Sequence, residues 1–252
     1  LIPYQHDVLL NLTTCALIFF GGIGFLVIRE MVANRWHWKR YSMHARVVLS
    51  VSAVLTVGGT LLIKLAERGN ITWLGAFFSS VTARTAGFST FSFADFSNAG
   101  LLVMMVLMYI GASSGSTGGG IKTSTFFVLL MGVHGAASGQ SEKAFPYAIP
   151  KEPFRKAAVI ALLALSMITV SGAAIAMLEP TLSLRDILFE MVSAFGTVGL
   201  STGITPGLSV GSKLISILMM FTGRLGPLTI ASLWHFNRIE RISYPEGNIS
   251  VG

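Results

Sequence analysis

Thr85-Ala86-Gly87-Phe88-Ser89-Thr90 (TAGFST) returns 112 residues later as Thr197-Val198-Gly199-Leu200-Ser201-Thr202 (TVGLST). Each copy follows a short half-apolar segment and precedes a long apolar one. The second opens Thr-Val-Gly, the letters that begin a potassium-channel filter, where backbone carbonyls replace an ion's hydration shell. Aiming successive carbonyls at one point needs backbone angles that glycine reaches without a Cβ penalty. Gly87 and Gly199 are therefore the expected corners of an ion-binding ring, with K⁺ held at both. Thr85, Ala86 and Phe88, and likewise Thr197, Val198 and Leu200, are expected to add carbonyls while their side chains pack outward. One glycine between apolar helices would read as close helix packing; the repeated frame reads as a filter.

The composition places those turns in a membrane. Of 252 residues, 52% are hydrophobic and 12% charged, and the mean hydropathy is +0.70. A span needs about 20 mostly apolar residues. Residues 9–28 and 157–178 satisfy this without a charge, and 47–63, 214–236 and the broken stretch 101–133 are further candidates. The single Cys15 lies in an apolar span, so it forms no intramolecular disulfide and reads as packing. The chain starts at Leu1 without a visible signal peptide, as a fragment or processed piece would.

The net charge of +7 is distributed by side rather than spread evenly. Segments 29–46, 135–156 and 235–252 hold 11 of the 18 Lys and Arg residues. The alternate segments hold four, beside six acids, and Arg84, Lys122 and Arg224 remain at membrane depth. The positive-inside rule puts the basic loops in the cytoplasm and the glycine turns toward the outside, with a mildly acidic mouth. The basic loops then determine topology rather than bind nucleic acid.

The repeat extends beyond the hexapeptides, since Phe77, Met108 and Gly111 match Phe189, Met220 and Gly223 at the same offset. One unit is a helix, a half-helix with its turn, and a second helix. Expected are 44–66, 71–83 and 97–135 in the first unit, and 154–178, 184–195 and 210–236 in the second. The predicted fold is all-α, with re-entrant pore helices too short to cross a bilayer and buried inside the bundle. Residues 20–28 also align with 222–230, as the last helix of a preceding unit would. The chain thus divides into 1–43 (that helix and a cytoplasmic loop), 44–135 and 154–236 (the two units), a proline-bearing linker 136–153, and a tail 237–252.

A second element is Gly111-Ala112-Ser113-Ser114-Gly115-Ser116-Thr117-Gly118-Gly119-Gly120, continuing to Thr123. Unwound polar backbone at membrane depth is tolerated only against protein or water, and it marks ion or substrate sites in transporters. Its place after the first turn predicts a gate on the cytoplasmic side. Arg224 stands at the matching position in the second unit, where the first has Ala112; it is expected to act as an electrostatic barrier or to anchor the loop's carbonyls and hydroxyls. Arg84 is expected to brace its turn and Lys122 to snorkel to the surface. Gly111–Gly115 also fits the G-x-S-x-G nucleophile elbow, which raises an intramembrane serine protease using Ser113 or Ser114 with His134. That motif belongs on a strand-to-helix turn, which this context lacks.

Together, TARTAGFST (82–90), SAFGTVGLST (193–202), the loop at 111–123 and FTGRLGP (221–227) make the chain resemble the Trk/Ktr/HKT superfamily of cation transporters, most of all the KtrB-type membrane subunit of bacterial Ktr systems. The resemblance implies four helix–pore-loop–helix repeats around one pore, of which this chain carries the third and fourth and the end of the second. It implies one filter glycine per repeat (Gly87 and Gly199 here), a gating loop over 112–120 and a facing Arg224. It further implies homodimers in the cell membrane of a bacterium, and a cytoplasmic nucleotide-binding, KtrA-like ring docking near 29–46 and the tail. The cargo is K⁺, with Na⁺ dependence or Na⁺ conduction as alternatives, and no covalent cofactor or enzymatic activity is expected.

Overall fold

Serine, threonine and aspartate start the helices. Asp7, Ser42, Thr72, Ser97, Ser183 and Ser209 each accept a hydrogen bond from a backbone N–H in the first turn of the helix that follows, relieving donors a helix cannot satisfy internally. The computed structural model describes residues 1–35, 37–139, 143–145, 147–148 and 151–232. In chain order the helices are α1 (Val8–Ile23), α2 (Phe25–Ala33), α3 (Met43–Ala66), α4 (Trp73–Thr82), α5 (Asn98–Tyr109), α6 (Thr123–Ser138), α7 (Lys151–Leu178), α8 (Leu184–Gly196), α9 (Val210–Leu225) and α10 (Pro227–Ser232). Between α6 and α7, β1 (Lys143–Ala144) and β2 (Tyr147–Ala148) form a two-residue antiparallel ladder in the segment expected to be linker.

Met43–Ala66 and Glu152–Leu178 are long and apolar enough to cross a membrane. Their outward faces are oily: Leu65, Val170 and Met177 are 71%, 69% and 83% exposed, a surface suited to lipid rather than water. Helices α4 and α8 behave differently. At about 1.5 Å per residue they are only ~15 and ~20 Å long, and most of their residues are buried. Helix α4 packs among α1, α3 and α5, and α8 among α5, α7 and α9. Both therefore enter the bundle and end inside it. Phe78 of α4 packs with Cys15 and Val81, while Phe189 and Phe195 of α8 join Leu101, Met104 and Met108 in the main core.

The sequence expectation of an unbroken span at 9–28 is corrected by Gly24. Its φ of +84° ends α1, and α2 leaves at a bend of 98°; a side chain there would meet the Ser114 carbonyl at 2.7 Å. The span expected at 214–236 is likewise broken at Gly226, φ +91°, and its end, like the tail 237–252, lies outside the described residues. The two basic loops occur at the same end of the bundle. Phe145 of the β1–β2 turn stacks edge-on to Trp38 at 6.4 Å and lies 5.9 Å under the Arg46 guanidinium.

One carboxylate latch closes each unit at the other end. Glu67 follows α3 and accepts hydrogen bonds from Ser97 N–H at 3.0 Å and Ser97 Oγ at 2.9 Å. Glu179, 112 residues on, accepts from Ser209 N–H at 2.8 Å and Ser212 Oγ at 2.9 Å. Each acid ties the end of one helix to the positive N-terminus of the helix after the half-helix, α3 to α5 and α7 to α9. Glu67 is 3% exposed, so Glu67→Ala should cost about 1–3 kcal/mol and lower the thermal midpoint of the purified protein more than Glu179→Ala does. Hydrogen bonds from the Ser209 hydroxyl and N–H, then from Ser212, hold the Glu179 carboxyl below the usual carboxylate range. A lowered folded-state pKa stabilises fully above the unfolded value and is lost as pH falls through the folded one. The acid limb of the wild-type melting profile should therefore be steeper than that of Glu179→Gln.

Candidate ion filter and gate

Both hexapeptide turns leave a buried half-helix and adopt the same backbone pattern. Thr85 and Gly87 have φ of +69° and +79°, and Thr197 and Gly199 have φ of +51° and +92°, while Ala86 and Val198 keep negative φ. Two positive-φ residues separated by one of negative φ make a backbone pattern that glycine admits freely and L-residues seldom adopt. Threonine in the left-handed region is uncommon and strained. Its recurrence at matched positions shows that the two turns are built alike. Ala86 N–H donates back to Thr82 O at 3.1 Å and Val198 N–H to Ser193 O at 2.9 Å, fixing each turn to its half-helix.

The turns touch. A Cβ on Gly87 would overlap the Val198 carbonyl, whereas one on Gly199 would approach only the Gly87 Cα, at 3.8 Å. Val198 and Leu200 are buried, but Phe88 is 49% exposed. The Phe88 carbonyl accepts a 2.7 Å hydrogen bond from Thr82 Oγ1, so its lone pair is partly engaged. The threonines depart from the expectation of outward packing. Side chains on Gly118 and Gly119 would overlap Thr85 Oγ1 and Thr197 Oγ1 respectively, so the two threonines face the polar loop.

That loop joins α5 to α6. Gly111, Ala112, Ser113, Gly118, Gly119 and Gly120 are buried, whereas Ser114 and Ser116 are partly exposed and Gly115 and Thr117 exposed. Gly115 and Gly120 have φ of +76° and +70°. Ser113 donates both its N–H (3.0 Å) and Oγ (2.8 Å) to the Gly22 carbonyl. In return the Phe25 N–H donates to the Gly115 carbonyl at 3.2 Å. The α1–α2 break thus supplies the loop's partners, a role the uninterrupted span expected from sequence could not fill.

On the other side the loop is held by cations. Lys122 Nζ donates to the Gly118 carbonyl at 2.7 Å, turning back onto the loop instead of snorkelling away. Arg224, in the last turn of α9 two residues before the break, donates to the Thr117 carbonyl. Among the described residues neither has an acidic partner. Arg84 is 7% exposed and bonds to Ser52 of α3, through its hydroxyl at 3.1 Å and its carbonyl at 3.5 Å. It ties its turn to α3. Glu190, which sequence reasoning passed over, is buried on α8 and receives hydrogen bonds from Ser201 and, at 3.0 Å, from Thr205. Its signal was an acid within the mostly apolar stretch 187–195 of the half-helix.

The protease constellation does not assemble. The Ser113 hydroxyl is spent on Gly22, Ser114 pairs with Ser124 at 3.2 Å, and exposed His134 lies 11 residues into α6, about 16 Å along its axis.

The whole chain aligns with the potassium/sodium uptake protein NtpJ of Enterococcus hirae at 38% identity, covering 59% of that protein. It aligns with the Ktr system potassium uptake protein B of Vibrio alginolyticus at 36% and of Bacillus subtilis at 34%, covering 58% and 59% of them. The chain therefore spans about three fifths of the length of these relatives. The crystal structure of the potassium transporter TrkH from Vibrio parahaemolyticus shares the fold, with a TM-score of 0.71 at 19% identity over 89% of this chain and 52% of that one. The predominantly helical membrane architecture with pore-loop repeats is common to both. The TrkH family pattern, described as cation transport protein, matches residues 45–237, and the chain belongs to that family.

Proposed function

We propose that this chain is the pore-bearing C-terminal part of a potassium-uptake subunit that conducts K⁺ down its electrochemical gradient. The observation that carries the reading is the matched backbone of Thr85/Gly87 and Thr197/Gly199, two contiguous carbonyl-bearing turns lying directly on a buried polar loop. K⁺ is coordinated by the carbonyls of Thr85, Ala86, Gly87 and Phe88 and of Thr197, Val198, Gly199 and Leu200, with equivalent turns from preceding repeats completing the ring. Neutral oxygens replace water without binding the ion too tightly to release it. Residues 44–135 and 154–236 are then the third and fourth repeats.

Residues 111–120 act as the gate beneath the ring. Gly118 and Gly119 stand below both threonines, and the loop is clamped by Arg224 and Lys122 on one side and by Gly22 on the other. A shut gate of this kind blocks the path with backbone, and opening requires those carbonyls to be released. The subunit works as a homodimer in the bacterial cell membrane, under a cytoplasmic nucleotide-binding ring that docks on the basic loop 29–46 and the tail. The name of the Enterococcus hirae relative couples potassium with sodium, so Na⁺ dependence, or conduction of Na⁺ itself, is the second reading.

Gly87→Ser in the full-length protein should raise the KM for Rb⁺ uptake and weaken discrimination against Na⁺ by about tenfold or more, near 1.4 kcal/mol of selectivity. Gly199→Ser should do less, because it meets backbone strain without overlap. Unchanged uptake and Na⁺ competition in both variants sinks the filter. For the gate, deleting residues 113–119, or Arg224→Ala, should raise Rb⁺ flux severalfold in proteoliposomes lacking the regulatory ring. Flux at the wild-type level in both would make the loop a passive connector.

A further inference from the structure

Glu190 and its hydroxyl partners form a compensated exchange within the repeat. At the shared offset, Glu190 corresponds to Phe78 and Thr205 to Phe93. In the first unit both positions are aromatic and buried, at 0% and 3% exposure, and the turn is braced by the Thr82–Phe88 hydrogen bond. In the second unit Ala194 replaces Thr82, so that bond is lost. Its place is taken by the Glu190 carboxylate, which accepts from Ser201 Oγ, from Thr205 Oγ1 and from the Thr202 N–H. Ser201 in turn accepts the Gly203 N–H at 2.8 Å, next to the positive φ of +102° at Gly203.

The placement ties this network to the ion path. Glu190 lines a cavity of about 280 Å³ together with Thr197, Val198, Gly199 and Leu200, and Ser201 directly follows the last carbonyl of the turn. We propose that Glu190 is a positioning residue for ion selection, setting where the Gly199 and Leu200 carbonyls stand by holding Ser201 and Thr205 from behind. A carboxylate is suited to this, since it accepts several hydrogen bonds at once and donates none. Glutamine at the same site brings one acceptor and two donors, and leaves a serine or threonine hydroxyl without its acceptor. The proposal rests on the filter reading of residues 197–200.

The test is Rb⁺ uptake with Na⁺ as competitor, in the full-length protein at matched membrane content. Glu190→Gln should raise the KM for Rb⁺ and lower the Rb⁺-over-Na⁺ preference by about tenfold, the scale of a charge-assisted hydrogen bond, with maximal flux changed much less. Ser201→Ala should shift preference in the same direction, and the double variant should be no worse than the more severe single. Ser201→Ala removes no buried charge, so it decides the matter if Glu190→Gln fails to reach the membrane. Wild-type preference in Ser201→Ala and in any Glu190→Gln protein obtained overturns the positioning role. Gly199→Ser is run beside them: a shift there without one at Glu190 or Ser201 defeats this proposal alone, and no shift at Gly199 defeats the filter reading beneath it.

Discussion

The arrangement depends on how closely glycine backbone approaches its neighbours where two turns meet one loop. Gly87 lies against the Val198 carbonyl, Gly118 against Thr85 and Gly119 against Thr197. None of these approaches leaves room for a Cβ, so all three glycines are required by space, and Gly87, at φ +79°, by dihedral angle as well. The neighbouring helix contact obeys the same rule, because a Cβ on Gly223 would overlap the Phe195 carbonyl. Half-helices that end inside the bundle bring these segments together at membrane depth. The long helices α3 and α7 and the latches at Glu67 and Glu179 keep the half-helices at that depth.

Cations at this depth need partners, and a carboxylate is the usual one. Here Lys122 and Arg224 are met by carbonyl oxygens of Gly118 and Thr117. Carbonyl dipoles satisfy the donors without cancelling the charge, so positive potential persists beneath the turns. A charge compensated only by dipoles is held less firmly than an ion pair with good geometry. The Ser113–Gly22 bonds on the far side are neutral and two-pronged, so that edge is held without any charge.

Much of the helical plan was legible because repetition and hydropathy are local properties. The 112-residue offset locates both half-helices and both glycine turns, and it also relates Glu67 to Glu179 and Ser97 to Ser209, though that pair of latches draws notice only once the contacts are seen. What was not legible depends on packing. Residues 9–28 carry no charge and read as one span, because hydropathy does not register that Gly24 is pressed against the Ser114 carbonyl. Lys122 reads as a snorkelling side chain until the Gly118 carbonyl is found within reach. The contact between the two turns joins residues more than a hundred positions apart, and no local pattern records it.

Differences between the two units then gain meaning from what they share. Positive φ at 85/197 and at 87/199 gives the two turns a matching backbone pattern, yet the residues that support each turn are unlike. The first turn has Arg84 fastened to α3 and a phenylalanine at each of positions 78 and 93; the second has Gly196 and the Glu190–Thr205 pair in those places. Gly196 has no room for a side chain, since a Cβ would stand 2.7 Å from the Met108 carbonyl. The arginine is therefore excluded from the second unit by α5, which belongs to the first. The two turns can share one backbone only because their supports differ, and their supports differ because the units pack against each other rather than against copies of themselves.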